Sequence, residues 1–151
     1  MRTGAKTPLA VLSALAILAG CKLSSQKAVF LRIDRDAIQF IQWTQEGAQI
    51  KGTIDILERT PDNEIRTALA VFDGVLDGEN FRMTTTSAMT SRAGDKEPGE
   101  KISGRLKGDT LTLFSDENGS EPKEFRRATQ AEYAEASRNL HMRAKLNKGA
   151  Y

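Results

Sequence analysis

Few residues in this chain have both the type and the spacing to do chemistry. The single cysteine, Cys21, and the single histidine, His141, lie in different parts of the sequence. A cysteine–histidine nucleophile pair would need the fold to bring them together, and a Cys/His zinc cluster has too few members. No Gly-x-Ser-x-Gly elbow and no glycine-rich phosphate loop is present. Carboxylates do come in close pairs, Asp34 with Asp36 and Asp116 with Glu117. Two acids converging in a cleft could do general acid–base work, but both pairs sit among turn residues, where acids serve solubility and capping. Asp116-Glu117-Asn118-Gly119 has some of the composition of a calcium loop and lacks the flanking helices and downstream ligands. These residues point to no catalytic centre, no metal and no resident cofactor.

The thiol has a different use. Residues 9–21 read Leu-Ala-Val-Leu-Ser-Ala-Leu-Ala-Ile-Leu-Ala-Gly-Cys, preceded by Arg2 and Lys6 and followed by the polar stretch Lys22–Lys27. The apolar run is shorter than the roughly 20 residues that span a bilayer. Small Ala19 and Gly20 suit a secretory peptidase, so residues 1–20 read as a signal peptide cleaved between Gly20 and Cys21. Leu18-Ala19-Gly20-Cys21 resembles the lipobox of bacterial lipoproteins. That resemblance implies a diacylglycerol in thioether linkage and an N-acyl chain on Cys21, with residues 21–27 as lipidated cysteine and tether. Several acyl chains hold a protein to a membrane durably where one does not. Lys22 stands where lipoproteins retained at the inner membrane often carry Asp, which implies an outer-membrane address in a two-membrane host, facing the periplasm or the exterior.

With Arg2 and Lys6 removed, twenty cations balance twenty acids. A neutral domain lacks the concentrated basic surface of nucleic-acid binding, and no nucleic-acid partner is expected. Residues 28–151 are enough for one domain with its own core, and a lone cysteine gives it no internal disulfide.

From Ala28 to about Arg127 the apolar period is two. Ile50, Gly52, Ile54 and Ile56 share one face, as do Phe81, Met83 and Thr85, then Ile102, Gly104 and Leu106, then Leu111 and Leu113. One apolar and one wet face indicates antiparallel sheet. Gly74-Val75-Leu76-Asp77-Gly78-Glu79-Asn80-Phe81 parallels Gly104-Arg105-Leu106-Lys107-Gly108-Asp109-Thr110-Leu111, and Trp43–Ile50 is a weaker copy. Each copy is a hairpin whose turn glycine needs positive φ. The expected fold is mainly β: an up-and-down meander or small barrel of about six to eight strands, with one C-terminal helix packed on it. Three details accompany that expectation. The apolar set changes parity at Phe40-Ile41, which reads as a bulge or barrel corner. Ala68–Phe72 is apolar on both faces, which reads as a central strand or one under the helix. Gly52, Gly74 and Gly104 inside strands read as bulges or tight bends. Residues 92–101 form a polar loop.

Thr129-Gln130-Ala131-Glu132 is a capping box, and a helix should run over 129–146 with Tyr133, Ala136, Leu140 and Ala144 on its apolar stripe. His141 falls on its surface. Lys123–Lys148 carries seven cations against three acids, read as a solvated face, with contact to anionic headgroups as the sharper alternative. The hairpins, Phe40-Ile41-Gln42-Trp43-Thr44 and the closing helix resemble small envelope lipoproteins of bacteria. That resemblance implies a fold and an address and brings no catalytic residues. Phe40, Trp43, Phe72, Phe81 and Phe114 are the aromatics expected either to fill the core or to line a barrel that holds an apolar ligand. The expected function is a lipid-anchored, non-enzymatic interaction module for another envelope protein. A lipocalin-like carrier of a small apolar ligand and a carboxylate-based envelope hydrolase are the alternatives.

Overall fold

A computed structural model describes residues 25–90, 99–114 and 121–148. Eight strands follow one another in chain order: β1 (Gln26–Ile33), β2 (Ala37–Glu46), β3 (Gln49–Arg59), β4 (Ile65–Asp77), β5 (Asn80–Thr90), β6 (Lys101–Lys107), β7 (Thr110–Phe114) and β8 (Lys123–Arg127). Each pairs antiparallel with the next, and β8 returns to β1 through Phe30↔Arg127 and Leu31↔Arg126. The result is a closed up-and-down barrel, followed by α1 (Gln130–Lys148). The seam is short, and the Ala128 amide, donating to the Val29 carbonyl at 3.0 Å, extends it.

The alternating order gives the barrel two unlike ends. At one, β2–β3, β4–β5 and β6–β7 join through tight turns whose Gly47, Gly78 and Gly108 all have φ near +60°. β1 also begins at this turn end, and β8 leaves it for the helix. The connections 34–36 and 60–64 lie at the other end, the mouth, where β5 and β7 end and β6 and β8 begin.

Two cores account for the apolar pattern. Phe30, Ile41, Trp43, Ile50, Ile54, Phe72, Leu76, Phe81, Met83, Leu111, Leu113 and Phe125 fill the barrel. Leu31, Ile38, Phe40 and Leu57 face outward and pack under Ala136 and Leu140 of α1. The outward faces of the remaining strands are mostly polar, with Asp73, Arg82, Lys101 and Arg105 exposed and Val71 and Phe114 the exposed apolar exceptions. Apolar inside and polar outside is the reverse of a barrel that spans a bilayer.

This arrangement corrects two sequence expectations and decides between the two readings of a third. The parity change at Phe40-Ile41 is neither bulge nor corner: β2–β3 register runs unbroken from Ala37↔Glu58 to Glu46↔Gln49. Ile38 and Phe40 face the helix while Ile41 and Trp43 face the interior, so β2 is buried on both sides. Ala68–Phe72 lies in β4, paired on both sides by β3 and β5 as the central-strand alternative has it; the helix lies over β1–β3 and does not cover it, and Val71 is 38% exposed. The register shift falls instead between Val71 and Phe72, opposite Thr85 and Ser87, which leaves Thr86 as the extra residue. Gly52, Gly74 and Gly104 sit in regular register. Their lack of a side chain gives room for neighbours: a Cβ on Gly52 would collide with the Gln42 carbonyl and come within 2.8 Å of the Phe72 ring.

Helix α1 begins where the capping box places it. The Glu132 amide donates to Thr129 Oγ1 at 3.2 Å, and the Thr129 amide donates to Glu132 Oε2 at 2.8 Å. This reciprocal pair satisfies two otherwise unpartnered donors. Ala136, Leu140 and Ala144 are its buried residues, and Tyr133 stacks on Phe40 with ring centroids 4.2 Å apart.

Candidate functional site

The inside of an eight-stranded barrel is just wide enough for side chains to fill, and toward the turn end they do. Trp43 stacks on Phe30 with centroids 4.9 Å apart and leans on Phe81 at 5.3 Å, and Phe81 meets Phe72 edge-on at 6.3 Å. The side-chain-free Gly52 is what lets Phe72 and Trp43 close over β3. The Trp43 indole N–H is buried with no hydrogen-bond partner among the described residues. That is a desolvation cost, and the aromatic packing around the ring offsets it.

Toward the mouth the filling stops. A pocket of about 100 Å³ opens there, its walls formed by inward-facing Ile41, Ile54, Ile56, Ile102, Leu113 and Phe125. Gln39, Glu100, Glu121 and Lys123 form its rim, with Phe114 beside them. Strand parity puts each wall residue in place: β3 contributes i and i+2, β6 and β7 one residue each, and β8 its single buried residue, Phe125. The rim is held by backbone: the Thr85 amide donates to the Glu100 carbonyl at 3.0 Å, and the Glu100 amide donates to Thr85 Oγ1 at 3.0 Å. Two larger depressions, of about 370 and 400 Å³, lie on outer strand faces open to solvent, one beside Gly74 and one along the β1–β8 seam.

The aromatics named from sequence separate into three places. Trp43, Phe72 and Phe81 are inside the barrel. Phe40 is outside it, in the core under α1. Phe114 has outward parity and is 41% exposed, so it does not fill the core and borders the pocket only at its rim: its neighbours Leu113 and Leu111 hold the inward positions of β7. The pocket walls were legible only as alternating residues. Nothing in the alternation says that Ile54, Ile56 and Ile102 converge on the pocket while Ile50 is buried in the packed core.

Of the acid–base candidates, the described pair Asp34 and Asp36 is taken up by two different arginines. Asp34 accepts from Arg32 Nε at 2.8 Å, and Asp36 pairs with Arg59, which also donates to Asn63 at 2.9 Å. His141 is exposed on α1 with Nδ1 2.8 Å from the Ser137 carbonyl, an ordinary within-helix contact. Gly20, Cys21, Asp116, Glu117 and residues 92–98 of the polar loop lie outside the described residues. Among the described residues, no group of three or more His, Cys, Asp or Glu side chains could hold a metal ion, and no helix is long and apolar enough to cross a membrane.

Two carboxylates are perturbed, in opposite directions. Arg126, 2.7 Å away, and the hydrogen bonds from Thr129 hold the Glu132 carboxyl below its usual range. Burial pushes Asp55 above its own; it lies on the outer face of β3 beside the helix, and its charge adds to the burial that raises Tyr133. Neither faces the pocket. No known protein family, curated protein or solved structure matches this chain.

Proposed function

We propose that this chain is a lipid-anchored protein of the bacterial envelope whose barrel is a non-enzymatic binding module for another envelope protein. The anchor reading is supported by Leu18-Ala19-Gly20-Cys21 and by the polar residues that follow it. Its geometry is compatible with the fold: β1 starts at the turn end, and residues 21–25 reach at most about 17 Å when extended. A lipid on Cys21 therefore holds the turn end toward the bilayer and presents the mouth away from it. This orientation also carries the basic C-terminal part of α1 away from the membrane, because the helix runs back toward the mouth, where Arg143 donates to the Arg35 carbonyl at 3.0 Å.

The observation that carries the module reading is the packed interior. Small-molecule sites usually enclose about 300–1,000 Å³, and among the described residues Phe30, Trp43, Phe72 and Phe81 fill the barrel beside a pocket of about 100 Å³. The apolar pocket toward the mouth favours the carrier as the second reading. Native mass spectrometry of the full chain separates the two: a reproducible bound lipid mass supports the carrier, and a barrel that flies without one supports the module. The anchor is tested by Cys21→Ser in the native host. The expected result is loss from the membrane fraction with an unchanged melting curve; unchanged fractionation contradicts the anchor.

A further inference from the structure

We propose that α1 is a displaceable strap over a helix-binding face: it opens as a unit while the barrel stays closed, and the strip it vacates takes an amphipathic helix of a partner protein. The proposal names the face that the binding-module reading needs, and it rests on that reading. The division of the core comes first. The buried residues that fill the barrel include none from α1, and the strand ring closes through β8 and β1 before the helix begins. Lifting α1 therefore takes no side chain out of the interior. What it uncovers is Leu31, Ile38, Phe40 and Leu57 on the outer faces of β1–β3, with Val29 and Ile65 packed beside them.

The seating is light. The side chains α1 buries are Ala136, Leu140 and Ala144, two of them alanines, and Tyr133, stacked on Phe40, stays partly exposed. Apolar stabilisation scales with the area removed from water, so one leucine and one ring supply most of it. The ion pairs at the two helix ends are exposed and of the kind that contributes little: Arg126 with Glu132 at 2.7 Å, and Lys148 with Glu64 at 3.9 Å. Docking also draws water away from the Asp55 carboxylate on β3 beside the helix. The shape of the strip names its occupant. Residues 136, 140 and 144 meet it at i, i+4 and i+8, the spacing by which amphipathic helices are recognised in grooves. Most helical stability in proteins comes from packing such a face, so α1 once lifted loses its structure and leaves the strip free for a helix from another chain.

The first test is amide hydrogen exchange, read by NMR on the full chain in phosphatidylcholine nanodiscs. The amides of residues 136–144 are expected to exchange together, about ten-fold or more faster than those of Ile50, Ile54 and Phe81. Leu31 and Arg126, paired across the seam, should keep the slow rate of the barrel. One shared rate for α1 and the barrel overturns the strap, and so does a seam that exchanges with the helix. The second test is Leu140→Asp, which removes the buried anchor of α1. The Ile38 and Leu57 methyls should then shift while the interior Ile50 methyl stays. A peptide of residues 129–148, acetylated and amidated, should bring them back in a saturable way with affinity on the order of 100 micromolar, and the same peptide carrying Leu140→Asp should not. Methyls that the unaltered peptide leaves unmoved overturn the helix-binding face. Wild-type exchange needs no variant, and Leu140→Ala takes the same peptide titration if Leu140→Asp does not fold. Failure of the strap or of the face leaves the module reading to other surfaces, since that reading falls to a bound lipid in the native mass spectrum.

Discussion

Single residues in this barrel carry unequal weight, and two glycines illustrate why. Gly108 has φ +58° with open space where a side chain would go, so Gly108→Val pays only for a β-branched residue in the left-handed region, about 1–2 kcal/mol. Gly52 has ordinary backbone but no space, since a Cβ there collides with the Gln42 carbonyl beneath the Phe72 ring. Gly52→Ala should cost about 3 kcal/mol or more; urea melts that rank Gly108→Val as the worse variant would contradict this account of the aromatic packing. Asp55 is the opposite case, a residue whose replacement should help. Burial raises its pKa in the folded state, so the fold holds its proton more tightly than the unfolded chain does. Stability is therefore lost as pH rises from the usual aspartate range, about 3.9, through the raised folded value. Asp55→Asn should raise the melting temperature at pH 7 by a few degrees, with the gap closing in acid. A variant less stable than wild type at pH 7 contradicts the assigned cause.

The elements differ in how plainly the sequence announces them. The helix was legible almost to the residue, because Thr129 and Glu132 are a local signal that needs no tertiary context, and both bonds of the box are present. Thr129→Ala should remove about 1 kcal/mol. Glu132 runs opposite to Asp55: its folded pKa is depressed, so its contribution is complete above the usual glutamate range and lost as pH falls through the folded value. Helical signal at acid pH should fall earlier in wild type than in a Glu132→Gln variant, and identical acid profiles would contradict the cap. The three tight hairpins were equally visible, each with its glycine at positive φ. Strand β2 misled because alternation marks one buried face and β2 has two, Ile41 and Trp43 inward and Phe40 beneath Tyr133. The β5 bulge left no mark at all, since Thr84-Thr85-Thr86-Ser87 reads the same in any register.

For the whole molecule, the expectation of a meander or small barrel was met by a closed one, and closure itself was the part the sequence could not decide. It depends on β8, five residues long with one buried side chain, meeting β1 over two residue pairs. The candidate site was legible only in its ingredients: Ile54, Ile56, Ile102 and Leu113 show their parity, whereas their convergence at one end follows from strand order and from where the aromatics stop. That polarity gives the proposed function its shape, with a filled turn end where the chain enters and a small apolar mouth at the other. The central claim is that Cys21 is the acylated first residue of the working protein, and intact mass of the product purified from native membranes tests it most directly. The account predicts a chain beginning at Cys21 and heavier than its peptide by a diacylglycerol and an acyl group. A mass that retains Met1–Gly20, or that leaves a free thiol at Cys21, would contradict it.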